Sequence, residues 1–176
     1  FVIDPEGTIV FRQAKSVPIQ FFQDGLPAPS QELWESPWGK IGFAVCYDLS
    51  YRRVIDRLIR QGAEALIVPT ADESSWGAYE HRLHGRVARL RAAEYGVPIL
   101  RVASSGISQM VDARGRLAAS APFPGKGEMM VGVLPLRGPG RLPIDRFLAP
   151  AAAAVVGGLI LLLIWSALRD RARRAP

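Results

Sequence analysis

The stretch GKIGFAVCYDLSYRR, residues 39–53, holds the only cysteine of the chain, Cys46. An apolar run, KIGFAVC, leads up to it and reads as a short buried strand. Beyond it, Tyr51, Val54, Ile55, Leu58 and Ile59 keep helical spacing over residues 49–61, and Gly62 stops the helix. In α/β folds, strand ends are where sites collect, because a rigid sheet holds the loops there. A helix N-terminus favours an anion such as a thiolate. The backbone N–H of Tyr47 would point toward the oxyanion formed at a carbonyl attacked by the sulfur. Position alone leaves a buried, inert cysteine equally open. Asp48 is expected to cap the helix that follows.

Working outward, FVIDPEGTIVFRQAK reads as strand, turn, strand, with Asp4-Pro5-Glu6-Gly7 as the turn. Residues 16–38 are proline-rich and lack periodicity, so a surface arm is expected. AEALIVPT is a second buried strand, ADESSWGAYE a loop and HRLHGRVARLRAAEY a helix ending before Gly96. PILRVASS is a third strand, SQMVDARGRLAAS a hairpin and GEMMVGVLPL a last strand. Strand–helix alternation followed by hairpins predicts an α/β domain with helices packed on a mixed sheet.

Composition narrows the function. One cysteine permits neither an internal disulfide nor a cysteine-rich metal site. His81 and His84 can share a helix face, but no third ligand is evident beside them, so neither a metal nor a cofactor is expected. Half of the net charge of +6 lies in the tail RDRARRAP, and no basic face interleaved with aromatics suggests nucleic acid. Phe147–Leu168 carries no charge, is bracketed by Arg146 and that tail, and has Trp165 near one end. It is expected to cross a membrane as one helix, with a buried soluble helix as the alternative. The organisation read from this is a domain over 1–136, a linker over 137–146, a transmembrane helix over 147–168 and a basic cytoplasmic tail over 169–176. The chain opens at Phe1 within an apparent strand, without an initiator Met or signal sequence. The C-terminal part of a longer protein is therefore expected.

The motif GFAVCYDLSYRRV resembles the nucleophile segment of the carbon–nitrogen hydrolase, or nitrilase, superfamily, where a strand ends in Cys-Tyr-Asp or Cys-Tyr-Glu. VIDPEGTIVFRQAK is similar to the family's lysine hairpin, VPTADESSW to the strand and loop after the cysteine. RVARLRAAEYGVPILRVASSGISQMVDARGRL is similar to the helix, strand and hairpin that follow. The resemblance covers residues 1–136 and implies the C-terminal portion of a four-layer α-β-β-α sandwich with a Glu-Lys-Cys triad. It places Cys46 as nucleophile and Lys15 as its cationic partner. The triad's glutamate should fall upstream of Phe1, so this fragment alone is expected to be inactive; Glu6 sits in a turn that faces solvent. A further acidic residue is common after the lysine, and Gln23 or Asp24 stands near its place. Glu94 is read either as a supporting carboxylate or as the salt-bridge partner of Arg91 or Arg101.

The apolar segment after the domain, with the RAAEY and R…GIS blocks, resembles the membrane-embedded apolipoprotein N-acyltransferase branch. That branch implies a phospholipid acyl donor, a thioester on the cysteine and the N-terminal amine of a lipoprotein as acceptor. It also implies the bacterial inner membrane, with the catalytic domain on the periplasmic face. Trp76 and Gly77 can fill their expected places, whereas Ala71 stands where an asparagine is usual and ASSG lacks another. The alternatives are a membrane-anchored amidase that passes the acyl group to water, and a catalytically dead binding domain. Phe21, Phe22, Trp34 and Trp38 in the arm read as a lipid-facing patch or as packing of the arm on the domain.

Overall fold

The computed structural model of the chain describes residues 1–19 and 24–174. They divide into two units, Phe1–Leu142 and Pro143–Pro176. In the first, β1 (Val2–Ile3) and β2 (Ile9–Phe11) form a two-stranded antiparallel ribbon around the Asp4–Gly7 turn. The remaining strands form one six-stranded sheet in simple sequential order: β3 (Leu33–Ser36), β4 (Gly39–Phe43), β5 (Ala65–Thr70), β6 (Ile99–Ala103), β7 (Ser108–Val111) and β8 (Leu117–Ala121).

Pairing is parallel at the centre, β4 with β5 and β5 with β6, and antiparallel on both flanks. Parallel neighbours need a crossover. Here α1 (Arg52–Arg60) links β4 to β5, and α2 (Ala78–Tyr95) links β5 to β6. The apolar face of α1 buries Val54, Ile55, Leu58 and Ile59, each contributing about 2 kcal/mol by leaving water. Against the sheet α2 presents small residues, Gly85, Ala88 and Ala92, and closes with Gly96 in the left-handed conformation (φ 69°) that a helix terminus requires. Leu66, Val68 and Ile99 of the parallel strands, with Ala44 and Val97, complete the core.

Three expectations need correction. The helix expected over 49–61 begins at Arg52, because residues 46–50 wind as a tighter 3-10 turn. The arm is not free of regular structure: Leu33–Ser36 pairs with Gly39–Phe43 as a hairpin. GEMMVGVLPL has the alternation of a strand, with Met129, Val131 and Val133 exposed, yet has no partner strand among the described residues. Hydrophobic period expresses a tendency to be a strand; only a neighbour supplies the ladder.

The segment after it, expected as a linker, is partly tied down. Gly140 N–H donates to Ala63 O and Arg141 N–H to Tyr95 O, and Leu142 packs against the core. The second unit is essentially one helix, α3 (Asp145–Arg174). Its Asp145–Asp170 portion reaches a mean hydropathy of 2.5 with none of that window buried. It is long and apolar enough to cross a bilayer. Phe21, Phe22 and Gln23 lie outside the described residues, as do the last two of the tail. Trp34 and Trp38 meet edge to face with centroids 6.0 Å apart, Trp34 half-buried and Trp38 exposed.

Candidate active site

The parallel register continues one residue past β4, where Ala44 N–H donates to Ile67 O. Val45 is still extended; Cys46 then turns to φ +56°, the one positive φ outside glycine among the described residues. A side chain in this region costs about 1 kcal/mol, so the surrounding structure must impose it. The imposing group is Asp48, fully buried within the turn. Its carboxylate accepts the N–H groups of Val45 (3.1 Å), Ser16 (2.9 Å) and Val17 (2.8 Å). Burial pushes the Asp48 carboxyl up, and the three N–H donors and nearby Lys15 work against that. Asp48 thus caps the 3-10 turn at Cys46, not α1, whose N-cap Tyr51 makes no side-chain cap. It also holds the Lys15 segment against the cysteine turn.

Around the thiol opens a cleft of about 1140 Å³, lined by Lys15, Asp24, Cys46, Tyr47, Ala71 and Trp76 among others. The Cys46 Sγ, half-buried, lies 3.8 Å from Ala71 O. Lys15 Nζ donates to Asp24 Oδ2 at 2.6 Å, and the Ile19 N–H donates to the same oxygen at 2.9 Å. The Lys15 hydrogen bond first, then the Ile19 amide, holds the Asp24 carboxyl below its ordinary range. Tyr47 and Trp76 present their rings to His84, with centroids 6.0 and 6.1 Å away. Five of the six residues singled out from sequence therefore meet in one cleft.

Glu94 does not line it. Glu94 pairs with Arg91, whose Nε and Nη2 reach Leu49 O (3.0 Å) and Ser50 O (2.7 Å). Of the two readings from sequence, the geometry is the ion pair, with Arg91 rather than Arg101. Its effect on the site is indirect, through the carbonyls that end the cysteine turn.

Sequence reasoning missed the cluster beside the thiol. Asp72 is fully buried; His84 Nδ1 lies 2.7 Å from its Oδ1 and Arg101 Nη2 2.8 Å from its Oδ2. Burial alone would raise the Asp72 carboxyl, but His84 and Arg101 outweigh it and hold it at about 2. Arg101, itself fully buried, also donates to Ile107 O. Asp72 N–H donates to Ser105 O (2.8 Å) and Ser105 Oγ to Asp72 O (2.6 Å). Gly106 (φ +118°) completes the fit: a Cβ there would stand 2.3 Å from Asp72 Oδ2. The detectable signal was the R…GIS block, whose Arg101, Gly106, Ile107 and Ser108 all serve this one junction.

One ligand atom each from Cys46, Asp72 and His84 lie within 4.8 Å of one another, so the histidine has the neighbours that sequence did not reveal. The Arg101 guanidinium, bonded to Asp72 and 3.3 Å from His84 Nδ1, already supplies the cation this carboxylate needs. A metal ion would have to compete with it at the same oxygens. The arrangement reads as a thiol, an imidazole and a carboxylate in sequence, facing a lysine across a cleft.

At a corner from strand to turn of an α/β sheet, the chain thus places a half-buried thiol in a cleft that a lysine also lines. The carbon–nitrogen hydrolase family model matches residues 1–134, and the chain belongs to that family, with an α/β domain of nitrilase type followed by one apolar helix. It is 29% identical to the apolipoprotein N-acyltransferase of Bordetella bronchiseptica across 98% of its own length. It is 37% identical to that of Rhizobium rhizogenes across 57% of its length. The chain spans 31% and 19% of those two relatives respectively. Among solved structures, the fold is similar to a glutamine-dependent NAD+ synthetase from Acinetobacter baumannii (TM-score 0.57, 14% identity, 66% of this chain and 24% of that one). It is also similar to an amidase from Nesterenkonia sp. AN1 carrying a Michael adduct of acrylamide at its active-site cysteine (TM-score 0.52, 17% identity, 64% and 46%).

Proposed function

We propose that this chain is the nucleophile-bearing part of an inner-membrane N-acyltransferase, and that Cys46 carries the acyl group as a thioester. The observation that supports it best is the left-handed Cys46, which projects its thiol into the cleft occupied by Lys15. The thiolate attacks the ester carbonyl of a phospholipid; the C–S bond forms and the lysophospholipid alkoxide leaves with a proton. Lys15 stabilises the thiolate and then the tetrahedral oxyanion, assisted by the Tyr47 amide. Asp24, Trp76 and, at one remove, Glu94 hold that arrangement. The acyl group passes to the N-terminal amine of a lipoprotein. We assign no residue of this chain to the triad's glutamate. Similarity to N-acyltransferases along nearly the whole chain and the apolar α3 favour this reading. In this reading the domain lies on the periplasmic side and the tail in the cytoplasm, which the arginines of RDRARRAP support.

A second reading, an anchored amidase that gives the acyl group to water, is favoured by Ala71 and Ser104-Ser105 in place of pocket asparagines. One experiment separates them. The full-length parent in membranes is given a phospholipid with a labelled acyl chain, and Cys46 is examined by mass spectrometry. A hydroxylamine-labile adduct on Cys46 that moves to a lipopeptide amine, and is absent in Cys46→Ala, is expected. An adduct that only hydrolyses turns the reading to the amidase. Acyl transfer by Cys46→Ala overturns both.

A further inference from the structure

The cleft contains a base that the Glu-Lys-Cys scheme does not use. His84 Nδ1 is engaged with Asp72 at 2.7 Å, and its other nitrogen, Nε2, has no hydrogen-bond partner among the described residues. His84 lines both the Cys46 cleft and an adjoining apolar cavity of about 340 Å³ walled by Tyr47, Trp76, Leu83 and Val87. Its ring is near the sulfur, since the ligand atoms of His84, Asp72 and Cys46 fall within 4.8 Å of one another. Several of the neighbouring polar groups are already engaged. Lys15 is bonded to Asp24, both Asp72 oxygens are taken, and Asp24 also receives the Ile19 amide.

We infer that His84 is a further catalytic residue: its Nε2 receives the proton of the incoming amine in the second half of the reaction. This rests on the thioester reading above. As the amine nitrogen bonds to the thioester carbonyl carbon, one N–H proton passes to Nε2. When the C–S bond breaks, the imidazolium returns that proton to Cys46 Sγ. Thioester and amine become amide and thiol, with His84 neutral again. Asp72 fixes the tautomer, so that Nδ1 carries the hydrogen and Nε2 the lone pair, and Arg101 fixes Asp72. The ionised Asp72 also balances the transient imidazolium. The charged and titratable groups around the ring are Asp72, Arg101, His81, Cys46 and Tyr47, with Glu73 lining the cleft and Glu80 the smaller cavity.

The test follows both half-reactions in the full-length parent, with labelled phospholipid as donor and a diacylglyceryl lipopeptide as acceptor. In His84→Gln the Cys46 thioester should form within about threefold of the wild-type rate. Its transfer should slow by about 100-fold or more, within the span general base catalysis supplies. Added imidazole should restore transfer in His84→Ala, which a merely structural histidine would not allow. Unchanged transfer in His84→Gln, or equal slowing of both steps, overturns the role of His84 alone. A wild-type parent that forms no thioester overturns this inference together with the proposed function.

Discussion

At the residue scale, Cys46 holds a conformation that its own side chain resists. A Cβ at φ +56° costs about 1 kcal/mol, whereas glycine adopts the same backbone freely. Two variants that remove the thiol should therefore differ in stability. Cys46→Gly is expected to melt above Cys46→Ala, by the equivalent of about 1 kcal/mol; equal melting temperatures would mean that the strain is absent. The cysteine was legible in sequence because a lone thiol between a strand pattern and a helix pattern has few ordinary uses. Asp72 was not: an aspartate in ADESSWG looks like any loop acid. Its role comes from Arg101, 29 residues on, and that pairing depends on which strands are neighbours.

At the element scale, the ends of β5 and β6 are joined by the loops that carry Asp72 and Ser105, and this junction is electrostatic as well as geometric. Asp72 is depressed from 3.8 to about 2 in the fold. A group lowered on folding adds stability that is fully present above its unfolded value, near pH 4, and is lost as pH falls through 2. The size is about 2 kcal/mol. Thermal melts of the parent between pH 5 and 2 should show this acid loss, and Asp72→Asn should lack that component while starting less stable at pH 5. An acid limb of unchanged depth in the variant would assign the loss to other carboxylates. The strands and helices themselves were mostly readable, because continuous apolar runs and 3.6-residue spacing survive without tertiary information. The arm hairpin was hidden, since LWES lacks a buried-strand pattern and pairs at the sheet edge. The opposite error at residues 127–136 has the same origin: pattern reports one strand at a time, and pairing belongs to two.

At the scale of the molecule, α3 is the feature with no use for water. Its apolar window has none of its residues buried, an arrangement that hydrocarbon tolerates and an aqueous surface does not. With the arginine-rich tail held cytoplasmic, a green fluorescent protein fused after Pro176 of the parent should fluoresce, and an alkaline phosphatase fusion at the same point should be inactive. The reverse pattern would invert the proposed orientation. This segment was the most legible part of the chain, because length and apolarity alone define a candidate span. The cleft was half legible: motif spacing singled out the cysteine and the lysine that line it, while the Asp72–His84–Arg101 cluster needed the sheet order to assemble it.

The buried Asp48 carboxylate binds amides from two segments some thirty residues apart, at Ser16, Val17 and Val45. Those amides share one acceptor, so each is released to solvent deuterium only when that single side chain lets go. In native-state hydrogen exchange they should lose protection together, at one rate and with one dependence on denaturant. That common rate would time the separation of the lysine from the thiol, and so the lifetime of an assembled site.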